Sequence, residues 1–176
     1  RLICESATGV NNIDLEAAAR RGIIVRNVAG YSTDAVVQAT FTHLLSLVGN
    51  APYLDDCVRS GRYSASGIFT DVTHPSVELC GRTMGVIGMG TIGSRVASFS
   101  TSATSHNKDY PSLPLDELLG TADVVSIHAP LNDRTRGLIG EAELRRMKRS
   151  AVLLNLGRGG IVDEAALARA LGEGGI

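Results

Sequence analysis

Gly88-Met89-Gly90-Thr91-Ile92-Gly93 carries the pattern G-x-G-x-x-G, placed directly after the apolar run Thr83 to Ile87 and opening a segment of helical character, Ile92 to Phe99. In that setting each glycine has its own task. The first permits a tight turn, the second lets backbone come close to a pyrophosphate, and the third lets helix and strand pack together. The phosphates would meet free N–H groups and the positive end of the helix dipole. A glycine pattern alone also serves as a plain turn; its strand-loop-helix placement is what points to a dinucleotide.

Two further strands end in residues able to do chemistry. Ala122-Asp123-Val124-Val125-Ser126-Ile127-His128 is followed by Ala129 and Pro130, and Ala151 to Leu156 is followed by Gly157-Arg158-Gly159-Gly160. Carboxyl ends of parallel strands are where ligands bind in open sheets. Arg158 between glycines offers a planar fork of donors to a carboxylate or a carbonyl oxygen, although a surface arginine in a turn looks the same by position. His128 reads as a satisfied structural histidine closing a buried strand. His43 lies in an apolar helix and His74 and His106 in polar loops, none with a carboxylate at useful spacing. No acid-base pair and no metal-ligand cluster emerges. Asp109 falls about 20 positions after the glycine loop, where an acid would hold ribose hydroxyls. Its surroundings, Ser100 to Tyr110, carry no apolar strand, so it reads as a solvated loop residue.

The elements that must position these residues alternate. Asp14 caps a helix that stops at Gly22, and Ile23 to Val28 follows as a buried strand. Thr33 to Gly49 has a wide apolar face at helical spacing and reads as a largely buried helix. From Asn50 to Gly81 the pattern loosens into Gly, Ser, Pro and Tyr, a long excursion read as a surface or partner-contacting arm. Helical patterns at Glu141 to Lys148 and Glu164 to Leu171 flank the last strand. Strand and helix in alternation predict an α/β fold, a Rossmann-type doubly wound parallel sheet covered on both faces.

Bulk properties restrict the partners. The 176 residues, 44% hydrophobic and 20% charged, suit one domain or slightly more, and the net charge of −1 gives no broad field for nucleic acid or an anionic membrane. No apolar run approaches the roughly 18 residues of a membrane span, and the opening residues do not read as a signal peptide. Cys4, Cys57 and Cys80 are few, odd in number and widely spaced, which predicts reduced thiols in a cytoplasmic protein.

Five motifs in order carry a resemblance. They are Ala7-Thr8-Gly9-Val10-Asn11-Asn12-Ile13-Asp14, Asn27 to Ser32, the glycine loop, His128-Ala129-Pro130-Leu131 through Thr135, and Asn155-Leu156-Gly157-Arg158-Gly159-Gly160-Ile161-Val162-Asp163-Glu164. Together they resemble the D-isomer-specific 2-hydroxyacid dehydrogenase family over nearly the whole chain. The resemblance implies hydride transfer between the nicotinamide of NAD, or NADP, and C2 of a 2-hydroxy or 2-oxo acid. It implies that Arg158 orients the substrate and polarises the oxygen on which charge develops, with the backbone around Thr8 and Gly9 receiving the carboxylate and Tyr31 near the pocket. Gly88, Gly90, Thr91, Ile92 and Gly93 would hold the pyrophosphate, and Ala129, Pro130, Thr135, Leu156, Gly157 and Arg158 would line the dinucleotide. The family's proton-donating histidine and its supporting glutamate lie downstream of the arginine motif and have no counterpart in residues 1–176. A homodimer is implied as well.

The same family layout makes residues 1–30 a remnant of a substrate domain and 31–176 an incomplete dinucleotide-binding domain. The unit after Gly93 lacks its second strand, so residues are expected to be missing near Phe99 and Ser100; a parallel strand needs a crossover of a dozen or more residues. No acid would then repel a 2′-phosphate, which keeps NADP open. A dinucleotide-sensing interaction protein, like the C-terminal-binding corepressors, is the rival reading, since fold does not fix function. An adenosylhomocysteine hydrolase-like domain fits the Arg158 motif less well.

Overall fold

The computed structural model describes residues 1–97 and 110–176 in full and, at 98–100, the backbone alone. Asp109 and the stretch where the second strand is expected lie outside the described residues. The elements, in order, are β1 (Leu2–Glu5), α1 (Leu15–Arg20), β2 (Ile24–Asn27), α2 (Thr33–Val48), α3 (Ala51–Arg59), α4 (Arg62–Ser66), β3 (Met84–Ile87), α5 (Thr91–Ser100), α6 (Leu115–Thr121), β4 (Val124–Ile127), α7 (Glu141–Arg146), β5 (Val152–Asn155) and α8 (Glu164–Gly172). The strands form two parallel sheets, β1-β2 and β3-β4-β5.

The larger sheet is buried on both faces because β4 is apolar on both. Val125 and Ile127 point into a cluster with Leu119, Leu144, Met147, Ile161 and Ala166, under α6, α7 and α8. Val124 points the other way, with Leu154, onto Leu44 and Val48 of α2. This is the doubly wound arrangement expected from the alternating pattern. At the amino end of β4, the carboxylate of Asp123 accepts from the backbone N–H of Thr83 at 2.9 Å and from Lys148 Nζ at 3.0 Å, with Arg82 at 3.4 Å. Those donors, the Thr83 N–H foremost, hold its carboxyl below the usual carboxylate range.

Three expectations need correcting. The segment Ile23 to Val28 is not a buried strand: Ile24 is 53% exposed and Val28 50%, and among the described residues the main packing against this two-stranded sheet comes from α1 alone on one side. Asp14 does cap α1, accepting from Ala17 N at 2.7 Å. Helix α2 is buried along one stripe only, Thr33, Thr40, Leu44 and Val48, while Leu45 and Leu47 are more than half exposed. The stretch after Asn50 contains two helices where a loose arm was expected. Asn50 adopts a left-handed conformation, Pro52 stands in the first turn of α3, and Cys57 is its buried anchor. Pro in a first turn is a helix-start signal that the flanking glycines and serines concealed. The chain then returns over α3, where Tyr53 donates to Asp71 at 2.6 Å and its ring lies 3.9 Å from that of His74.

Candidate active site at the strand ends

Register places Ile87, Ile127 and Asn155 side by side as the last residues of β3, β4 and β5, so the segments after them share one edge of the sheet. Gly88 turns there with φ +93°, and a β-carbon on it would lie 2.8 Å from the backbone nitrogen of Ala129. Gly93 is packed from the other side: a β-carbon would overlap the Gly88 carbonyl oxygen and come within 3.3 Å of Val86. A β-carbon on Gly90 would meet no non-neighbouring atom within 4 Å among the described residues. The outer glycines thus serve the turn and the helix-strand contact, and the middle one faces open space at the N-terminus of α5. That geometry fits a pyrophosphate, as the spacing predicts.

The second wall is built from two turns. His128 N donates to Ile87 O at 2.8 Å, continuing the ladder beyond β4, and Ala129 is buried. The hydroxyl of Thr135 donates to Pro130 O at 2.6 Å and accepts from Asn132 N at 2.9 Å, closing the loop from Pro130 to Thr135. His128 Nε2 pairs with Ser126 Oγ at 2.8 Å, while its buried Nδ1 has no partner among the described residues, so the expected satisfied histidine is satisfied on one side only. Burial pushes its pKa down, which leaves the ring neutral near pH 7.

Leu156 N donates to Ile127 O at 3.0 Å and carries the chain to Gly157, where a β-carbon would lie 2.7 Å from Ala129 O. Arg158 follows, exposed, with Nη1 donating to Gly157 O at 2.9 Å. Its guanidinium lies against Gly9: a β-carbon there would be 3.0 Å from Cζ and 3.1 Å from Nε. The loop bearing Thr8 and Gly9 is itself anchored to β2, since Thr8 O accepts from Asn27 Nδ2 at 2.7 Å and Thr8 Oγ1 donates to Val28 O at 3.2 Å. Residues 149 positions apart in the chain are therefore neighbours, a glycine backbone facing a guanidinium beyond the end of β5. Tyr31, just before the α2 cap Ser32, is 63% exposed. Asn27, Asn132 and Asn155, whose side chains close these turns, were not singled out from the sequence, although asparagine at a strand end is a turn-closing signal.

Residues 41–176 match the family described as "D-isomer specific 2-hydroxyacid dehydrogenase, NAD binding domain". The chain belongs to the D-isomer-specific 2-hydroxyacid dehydrogenase family. It is 40% identical to a glyoxylate reductase of Aeropyrum pernix in an alignment of 196 positions, covering all of this chain and 57% of that protein. It is similar to the D-lactate dehydrogenase of Aquifex aeolicus, solved with NAD and lactic acid, with a TM-score of 0.87 and 32% identity over the whole chain and 55% of that protein. An NADPH-dependent glyoxylate/hydroxypyruvate reductase from Sinorhizobium meliloti, solved with NADP and malonate, gives a TM-score of 0.87 at 28% identity, covering the whole chain and 58% of that one. The chain thus spans just over half the length of these dehydrogenases. Among the described residues no helix is long and apolar enough to cross a membrane, and no group of three metal-ligating side chains occurs.

Proposed function

We propose that the protein of which this chain is part is an NAD(P)-dependent oxidoreductase acting on a small 2-hydroxy or 2-oxo acid. The observation that carries the reading is Arg158 set against Gly9 at the same sheet edge as the glycine loop, which puts an anion-binding fork and a dinucleotide cradle at one end of the sheet. When bound, the nicotinamide supplies or accepts the hydride. The chain's residues bind and orient the reactants. The proton for the C2 oxygen would come from the histidine, supported by a glutamate, that the family resemblance places downstream of the Arg158 motif. Gly88, Gly90 and Gly93 shape the cradle, and the N–H groups at Thr91 and Ile92 face the phosphates. Ala129, Pro130, Thr135, Leu156 and Gly157 form the wall along the dinucleotide. Arg158 holds the substrate carboxylate and stabilises charge developing on the C2 oxygen, while the backbone at Thr8 and Gly9, with Tyr31 beside it, completes the carboxylate site. Steady-state reduction of glyoxylate, pyruvate and hydroxypyruvate by the full-length protein with NADH and with NADPH tests this. Turnover of none of them, with coenzyme binding intact, would favour the dinucleotide-sensing alternative.

Three finer readings accompany it. Residues 1–30 are a piece of a substrate domain and 31–176 an incomplete dinucleotide domain with residues missing near 99–100; an alignment about 20 positions longer than the chain's 176 residues supports the missing residues. The mass of the natural full-length protein and its peptide map across Ser100 check it. A homodimer is supported by α3, α4 and the following loop, where Tyr63, Ile68 and Phe69 are 43%, 57% and 90% exposed beside Tyr53 and Leu54. A cytoplasmic location is supported by three free cysteines.

A further inference from the structure

We infer that Asn155 is a positioning residue for Arg158, acting through the backbone of the loop that carries it. This rests on the function proposed above. Asn155 is the last residue of β5, three positions before the arginine, and its side chain is used at both ends. Its Oδ1 accepts from Gly157 N at 3.2 Å, and its Nδ2 donates to Arg158 O at 3.0 Å. One planar amide thus spans the turn and fixes the peptide planes on either side of the Gly157-Arg158 bond. Arg158 Nη1 in turn donates to Gly157 O at 2.9 Å, so the guanidinium leans on the peptide that lies between the two Asn155 holds.

The loop is also tied at its far end, where Gly160 O accepts from Gly137 N at 2.7 Å, and Asn155 anchors the half that carries Arg158. Gly157 cannot carry a side chain because Ala129 O is 2.7 Å from where its β-carbon would be, and Gly159 has nothing within 4 Å. The only other described hydrogen bond to Arg158 O is from Ile161 N, at 3.5 Å. A long, exposed arginine on a glycine-flanked loop has many rotamers to lose, and a fork that must meet a carboxylate in one geometry gains from a fixed base. An amide supplies an acceptor for the N–H and a donor for the C=O at once, at any pH. Aspartate keeps the acceptor but, when ionised, sets a second oxygen against Arg158 O. When protonated, its O–H donates there and restores the pattern.

The experiment uses the full-length protein with Asn155→Ala and Asn155→Asp, glyoxylate and pyruvate as substrates, and amide exchange at Gly157 as a readout independent of turnover. In Asn155→Ala, kcat/KM should fall about 10- to 100-fold, as expected for a misplaced catalytic group, while the coenzyme dissociation constant, which Gly157 also serves, rises by a much smaller factor and the melting temperature changes little. Exchange at the Gly157 amide should quicken about tenfold, the factor for losing one hydrogen bond. In Asn155→Asp the Gly157 amide should stay protected, and the deficit in kcat/KM relative to wild type should shrink as the pH is lowered. A role confined to folding would not produce that pH profile. Wild-type kcat/KM in both variants would overturn the inference, and so would a loss matched by equal losses in coenzyme affinity and melting temperature. Should the wild-type protein reduce no 2-oxo acid, the functional reading fails; Gly157 exchange in Asn155→Ala then decides the loop anchor, faster supporting it and unchanged overturning it.

Discussion

The guanidinium of Arg158 occupies the space that a side chain at Gly9 would need, with Cζ 3.0 Å and Nε 3.1 Å from the β-carbon position. Gly9→Ala should therefore displace the guanidinium rather than the backbone, since the arginine is flexible and exposed. The expected outcome in the full-length protein is a fall in kcat/KM of about tenfold or more, with the coenzyme dissociation constant unchanged. Steady-state kinetics beside fluorescence titration of the coenzyme check this.

The three loop glycines should separate by phenotype. A β-carbon at Gly90 meets no neighbour within 4 Å among the described residues, so the fold should tolerate Gly90→Val, while the added bulk occupies the space meant for the pyrophosphate. Calorimetry should show coenzyme affinity lost with the melting temperature nearly kept. Gly93→Ala overlaps the Gly88 carbonyl oxygen and should lower the melting temperature as well.

Much of this was legible beforehand because the informative signals are local. A glycine loop between strand and helix, two β-branched runs and an arginine between glycines need no tertiary knowledge, and β3, β4, β5 and the strand-end positions followed from them. Burial was less legible. Ile24 and Val28 read as core because they are β-branched, yet burial depends on a covering layer that local pattern does not encode. Helix α3 was missed because Ser, Gly and Pro dominated the reading of its neighbourhood, although Pro52 and the i,i+4 pair Asp55 and Arg59 are helical features. The contact between Gly9 and Arg158 could not be read from spacing at all. The roles of Asn27 and Asn155 appear only once their side chains are seen closing turns.

Asp123 should tie stability to pH. Its folded pKa is depressed, so its contribution is present above the unfolded carboxylate value and is lost as pH falls through the folded one. Asn in its place removes the charge that Lys148 and Arg82 face. Asp123→Asn should melt lower than wild type at pH 7, and the difference should narrow below about pH 4. Thermal melts at pH 7 and at acid pH test it; a gap that is constant with pH contradicts it.

If α3, α4 and the loop through Phe69 form a contact between copies, polar substitutions there should act on assembly before catalysis. Phe69→Glu, at a residue 90% exposed, should leave the fold intact and shift light-scattering mass toward the monomer. A wild-type protein that is monomeric at micromolar concentration removes the dimer from the account.

The most direct test of the central claim is the kinetics of Arg158→Lys in the full-length protein on its best 2-oxo acid. Lysine keeps the charge and loses the planar fork, so kcat/KM should fall about 100-fold while NADH or NADPH binds as before. Wild-type kcat/KM in Arg158→Lys and again in Arg158→Ala would contradict the account, because the fork beside Gly9 would then have no part in turnover.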